Sequence, residues 1–284
     1  MKNKFFYSSI VIVVFCICSS CVKSQDADKL SSNHTNDSTS IYKKGNSSIL
    51  KNDLEYKDEE FDFLPTSKTN QIISHRYYKL SYQEEFEQAE WVAYELKKSY
   101  IKNSDFKRPF FIEDSKVKSG SANWKNYKNS GFDKGHLCPA GDMEFAFDAY
   151  NDTFLTSNIA PQIHEFNNGV WNRLEQKVRY WAVKYDGIYV ITGGVLKSSL
   201  ETIGKEKVSV PEFFYKILLD DSGENTKMIG FLVPNSESKE PLYSFVVSVD
   251  LIEKMTGIDF FPKLENNVES HLEKSTDYKN WSFK

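Results

Sequence analysis

Residues 133–142 read DKGHLCPAGD, which gathers an imidazole (His136), a thiol (Cys138), an amine (Lys134) and two carboxylates (Asp133, Asp142) within one short stretch. Glycine and proline punctuate it, so it cannot be a regular helix, and irregular segments of this sort are where folds display functional groups. An ordinary imidazole, with a pKa of about 6.5, suits a general base at neutral pH, and a nearby carboxylate can fix its tautomer. Cys138 suggests a rival chemistry, that of a Cys/His hydrolase. A free thiol in an exported chain is open to oxidation unless it is buried, so Cys138 reads better as a small packing residue.

A second polar set lies downstream in FNNGVWNRLEQKVRYWAVKY, which carries Asn167, Glu175 and Arg179. Val170, Trp171, Leu174, Val178, Trp181 and Tyr185 fall on one stripe at helical spacing, with Asn167 at the position of an N-cap. On an ideal helix Asn167 and Glu175 are about 80° apart in angle and about 12 Å apart along the axis. They flank the apolar stripe, so they can border a cleft while the stripe packs on a sheet. Taken alone, this set is also an N-cap plus an i,i+4 Glu–Arg pair worth about 0.3–0.5 kcal/mol.

The elements that must hold these groups are legible as segments. SYQEEFEQAEWVAYELKKSYI opens with Ser81-x-x-Glu84, a capping-box pattern that predicts a helix, and passes into an alternating aromatic run over Trp91–Tyr100 that predicts a strand. Residues 189–196, 213–220, 228–235 and 243–250 are apolar, β-branched or aromatic runs bounded by turn residues, and read as strands. LIEKMTG (251–257) reads as a short helix ended by Gly257. Strands on both sides of the long helix predict an α+β domain: a mostly antiparallel β-sheet with packed helices.

The 284 residues carry 36 Lys and Arg against 40 Asp and Glu, a net charge of −4, so no global basic field attracts a polyanion and any nucleic-acid site must be a local patch. Residues 1–20 form a secretory leader: Lys2 and Lys4, then an apolar run shorter than the roughly 20 residues that span a bilayer. It ends in CSSC, which resembles a lipobox and predicts a lipid anchor at Cys21 in the cell envelope, the alternative being a freely secreted protein. Three of the four cysteines (Cys16, Cys18, Cys21) lie in this leader or immediately after it, which leaves Cys138 alone and no disulfide framework in the folded part. Residues 21–70 are polar and read as a flexible tether, and 71–284 as the folded domain.

Taken in order, DKGHLCPAGD, then Ser157-Asn158-Ile159-Ala160-Pro161-Gln162, then Asn167-Asn168-Gly169-Val170-Trp171 with Leu174-Glu175, resemble the DNA/RNA non-specific endonucleases of the ββα-metal (His-Me finger) type, such as endonuclease G. The resemblance implies a ββα-metal active-site motif and endonuclease activity on DNA and RNA with little sequence preference. It implies His136 as general base, Asn167 as ligand to Mg²⁺ or Mn²⁺, Glu175 on a metal-bound water and Arg179 on the phosphate. Lys134 stands where the family most often has Arg. It keeps the charge but not the bidentate fork, and with Arg108 it is a candidate phosphate contact. The alternative in another class is a surface-anchored nucleic-acid-binding module whose catalysis is weak or lost.

Overall fold

The computed structural model describes residues 63–222 and 226–283, all within a unit running from Glu55 to Lys284. The leader over 1–20, the Cys21 anchor and most of the tether lie outside the described residues. In chain order the strands are β1 (Ile72–Ser74), β2 (Lys79–Gln83), β3 (Gln88–Lys97), β4 (Asp133–His136), β5 (Ile159–Gln162), β6 (Gly187–Gly194), β7 (Thr202–Ile203), β8 (Val208–Ser209), β9 (Phe213–Asp220), β10 (Lys227–Pro234) and β11 (Val246–Val247). The helices are α1 (Phe147–Asp152), α2 (Asn172–Lys184), α3 (Val249–Thr256) and α4 (Asn266–Glu273).

Seven strands form one sheet in the order β1-β2-β3-β6-β9-β10-β11, with every neighbouring pair antiparallel. This is the expected α+β architecture. Because side chains alternate along a strand, the central strands feed two cores. Val92, Tyr94 and Leu96 of β3 and Phe214 and Leu218 of β9 pack with Leu174, Val178 and Trp181 of α2. Their neighbours Trp91, Ala93, Tyr215, Ile217 and Leu219 pack on the other face with Val249 and Ile252 of α3 and Leu272 of α4. A sheet covered on both faces explains why 213–220 reads as a nearly continuous apolar run.

Three local expectations are corrected. Ser81 does not start a helix: it lies in β2, and its hydroxyl donates to Glu90 Oε1 at 2.6 Å rather than serving a helix end. Only a single 3₁₀ turn, Glu84–Phe86, follows it. The strand expected over 243–250 shrinks to Val246–Val247, because the Ser248 side chain accepts the Leu251 N–H and starts α3 early. Gly257 ends α3 in the left-handed conformation (φ 69°), as its position predicted. At the other end the packed chain begins ahead of Gln71: Phe63 and Leu64 join the second core, and the Trp91 indole donates to Thr66 O at 2.9 Å.

Candidate active site

The polar stretch is the first strand of a separate hairpin. β4 pairs antiparallel with β5, with Lys134 opposite Pro161, Gly135 opposite Ala160 and His136 opposite Ile159. Gly135 is required there, because a Cβ at this position would lie 2.0 Å from Gln162 Cδ. The buried Asn158 side chain braces the hairpin end: it accepts the Cys138 N–H at 2.8 Å and donates to Cys138 O at 2.9 Å. The chain then enters α2 through a wide π-type turn, Phe166–Trp171, in which Gly169 leaves helical geometry and the Asn172 N–H reaches back to Asn167 O. Turns of this kind cluster at functional sites. Hairpin plus helix, β4-β5-α2, is a ββα unit.

Asn167 is therefore not an N-cap. Its Nδ2 donates to Asp133 Oδ2 at 3.0 Å, and the exposed His164 ring bonds the same oxygen at 2.9 Å. Asp133 raises the His164 pKa through that hydrogen bond. Of the two carboxylates that flank His136 in sequence, Asp133 thus orients Asn167. The other, Asp142, is fully buried and accepts from Tyr94 Oη and Arg179 Nη1, each at 2.7 Å. Arg179 accordingly pairs with Asp142 rather than with Glu175, one turn earlier on its own helix. Burial works against the Arg179 charge, but Asp142 outweighs it and raises the pKa.

His136, Asn167, Asn172, Glu175, Arg179 and Arg108 line one open cavity of about 350 Å³. Burial, and then Arg108, lower the His136 pKa to about 4, below the ordinary value expected from composition. Its Nε2 is buried without a hydrogen-bond partner. Burial raises Glu175 to about 7. Lys134 lies outside this cavity. With Arg108, Phe110 and Trp124 it lines an adjoining apolar groove of about 680 Å³, its Nζ 5.5 Å from the Phe111 ring centre. Cys138 is fully buried, and burial holds its pKa well above the usual thiol range. That removes the Cys/His hydrolase.

One charged residue behind the site was not read from the sequence. Lys216 sits on β9 between Phe214 and Leu218, on the α2 face, and is fully buried. Its Nζ donates to Thr192 Oγ1 at 2.6 Å and lies 4.9 Å from the Trp171 ring centre. Burial lowers its pKa against the opposing pull of Glu175 and Asp142. The available signal was a lone lysine inside FFYKILLD, a run otherwise apolar enough to be buried on both faces.

The donor set fits a hard divalent cation. Asp133 engages the amide nitrogen of Asn167, which leaves Oδ1 as the atom on offer to a ligand, and the Glu175 carboxylate lines the same cavity. Oxygen donors in small number suit a largely hydrated ion of the Mg²⁺ kind.

This hairpin, turn and helix define a ββα-metal nuclease fold. The profile of the DNA/RNA non-specific endonuclease family matches residues 62–267, and the chain belongs to that family. It is 33% identical over 227 residues to the mitochondrial nuclease EXOG of Xenopus laevis, covering 74% of this chain and 63% of that protein. The chain thus spans less than two thirds of that relative's length. It is 32% identical to human mitochondrial endonuclease G, covering 68% of this chain and 70% of the relative. It is 30% identical to a nuclease of Nostoc sp., covering 75% and 82%. A solved structure of EndoG in complex with EndoGI superposes with a TM-score of 0.64 at 30% identity, over 69% of this chain and 87% of that one.

Proposed function

We propose that this protein is a metal-dependent endonuclease that hydrolyses phosphodiester bonds of DNA and RNA with little sequence preference. The observation that supports it most is the convergence of His136, Asn167, Glu175, Arg179 and Arg108 on one cavity. His136, with its pKa near 4, is neutral at physiological pH. Its ring lines the cavity, and this neutral imidazole is the group that would take the proton of the attacking water. A phosphate beside Arg108 would offset that arginine's charge and raise the His136 pKa, so the base strengthens once substrate is bound. Arg179, held by Asp142, and Arg108 place positive charge where the phosphate must sit. Lys134 extends this charge into the adjoining groove. Asp133 fixes the Asn167 amide so that Oδ1 is presented to a cation, Mg²⁺ or Mn²⁺, and Glu175 would bind water in that ion's shell. A cation bound there would supply Lewis-acid stabilisation of the charge that builds on the phosphorane and the leaving oxygen. Contacts made mainly to phosphates position a substrate without reading its sequence.

Plasmid and RNA degradation, assayed with Mg²⁺ or Mn²⁺ and with EDTA, test this reading. His136→Ala abolishes cleavage and Cys138→Ala largely spares it. If the purified protein never cuts either substrate with either ion, the catalytic reading fails and a nucleic-acid-binding module stands in its place. The envelope location and the anchor at Cys21 belong to the same proposal and rest on the leader sequence. An alkyne-lipid label that persists in Cys21→Ala would refute the anchor.

A further inference from the structure

On the sheet face opposite α2, five carboxylates converge where α3 meets α4. Asp250 and Glu253 stand three residues apart on α3, and Glu269 and Glu273 four apart on α4, so each pair shares a helix face. Asp259 lies in the connection between them. One carboxylate oxygen each from Asp250, Glu253 and Glu273 lies within 4.8 Å of the others, and so does one each from Asp259, Glu269 and Glu273. Glu273 belongs to both groups and is only 7% exposed. Its Oε1 is buried without a hydrogen-bond partner, and the Oε1 of Glu269 is in the same condition. Like charges at i,i+4 are unfavourable even on an exposed helix, and a buried carboxylate oxygen left without a donor adds to that cost.

We propose that these five carboxylates form a second divalent-cation site, separate from the catalytic cavity, and that the ion it takes is Ca²⁺. The donors are all oxygen, which disfavours Zn²⁺ with its preference for nitrogen and sulfur. They come from two helices and a loop. Such a set suits Ca²⁺, which accepts about 6–8 oxygens in flexible geometry, better than Mg²⁺, which demands a near-ideal octahedron. Glu273, shared by both groups and least accessible, is the central ligand. Glu253 spends Oε1 on the Phe260 N–H at 2.9 Å, which fixes it in place and leaves its other oxygen for the ion. Ile252 of α3 and Leu272 of α4 pack in the same core, so the ion would clamp both helices to the sheet.

Calorimetric titration of the chelator-stripped protein with CaCl₂, paired with thermal melts, tests the proposal. The expected result is one Ca²⁺ per chain that Asn167→Ala retains and Glu273→Gln loses. At about 100 times the Kd the melting temperature rises by roughly 5–10 °C, and this rise also disappears in Glu273→Gln. In chelator, Glu273→Gln melts at or above the wild type, because it removes a buried repulsion at constant shape, and Glu269→Gln weakens Ca²⁺ binding without unfolding the chain. Mg²⁺-dependent cleavage by Glu273→Gln stays at the wild-type level, which separates this site from the catalytic one. The absence of Ca²⁺ binding at millimolar concentration overturns the proposal. So does binding that Glu273→Gln retains and Asn167→Ala abolishes.

Discussion

Lys216→Met separates the electrostatics of the site from its packing. The lysine is fully buried on β9, with one hydrogen bond to Thr192 and the Trp171 ring 4.9 Å from its Nζ. Its pKa is lowered by burial, so the folded protein holds this proton less well than the unfolded chain. The charge therefore costs stability at every pH below the folded pKa. Methionine fills nearly the same volume without a charge. The recovered burial cost is set against about 1 kcal/mol for the lost hydrogen bond, and Glu175, with its raised pKa, takes up a proton rather than remaining an uncompensated charge beside the vacated position. The melting temperature is expected to hold or to rise by a few degrees, at roughly 2–4 °C per kcal/mol for a domain of this size.

Activity should move the other way. Lys216 is the strongest charge opposing the upward shift of Glu175, which titrates at about 7 and is half ionised at neutral pH. A coupling of one pKa unit, about 1.4 kcal/mol, is what two unit charges exert across roughly 12 Å at an effective dielectric of about 20. Lys216 lies within that range, since it touches Trp171 and Glu175 is one helical turn further on. Removing the lysine then raises Glu175 by about one unit or more, and the ionised fraction at pH 7 falls roughly fivefold. At subsaturating Mg²⁺, kcat/KM on a labelled oligonucleotide should fall about fivefold or more at pH 7 and recover toward wild type near pH 9. An unchanged rate at pH 7, or an equal loss at both pH values, would refute the coupling. A melting temperature lowered in step with the rate would mark Lys216 as a packing residue only.

Two further outcomes follow from the hairpin and the turn. Asp133→Ala frees the Asn167 amide. The cation concentration for half-maximal activity should rise about 10–100-fold while the rate at saturating cation largely survives, as expected for a group that orients a ligand; an unchanged requirement would remove Asp133 from that role. Gly135→Ala drives a methyl against Gln162, whose side chain is fully buried and only 2.0 Å from the new carbon. Overpacking of this kind costs about 1–3 kcal/mol, so a melting temperature within a degree of wild type would contradict the geometry.

The sequence carried the poles of the site better than its wiring. His136, Asn167, Glu175 and Arg179 were legible because each sits in a short local pattern, and the apolar stripe from Val170 to Tyr185 located the helix that brings three of them together. Partners supplied from distant strands were not legible. Tyr94 of β3, which bonds Asp142, and Lys216 of β9, which lies against Trp171, come up behind the cavity only through sheet order, and no spacing along the chain encodes that. Asp142 was singled out, but beside His136, whereas the fold turns it toward Arg179 and Tyr94. Local signals also competed with tertiary ones. The capping pattern at Ser81 lost to pairing with β3, whereas Ser248, which no sequence pattern had marked, caps α3 where little of the preceding run is paired.

Asp142 and Lys216, fully buried, and Arg179 and Glu175, at the cavity wall, form a charge set of alternating sign, and its members are unequally free to respond. Asp142 is held by two hydrogen bonds at 2.7 Å, one of them from Arg179, and Lys216 is enclosed by the core. Glu175, with its pKa raised to about 7, is the member poised to change charge near neutrality. On the proposed function, an ion held by Asn167 would favour the ionised form of Glu175, so that the Lys216 and Arg179 charges would face two carboxylates rather than one. Cation binding and charge balance are thereby coupled through a single side chain. Lys134 would have a limited part in that scheme: it lines the adjoining groove rather than the cavity, so a lysine there in place of arginine leaves these four charges as they are.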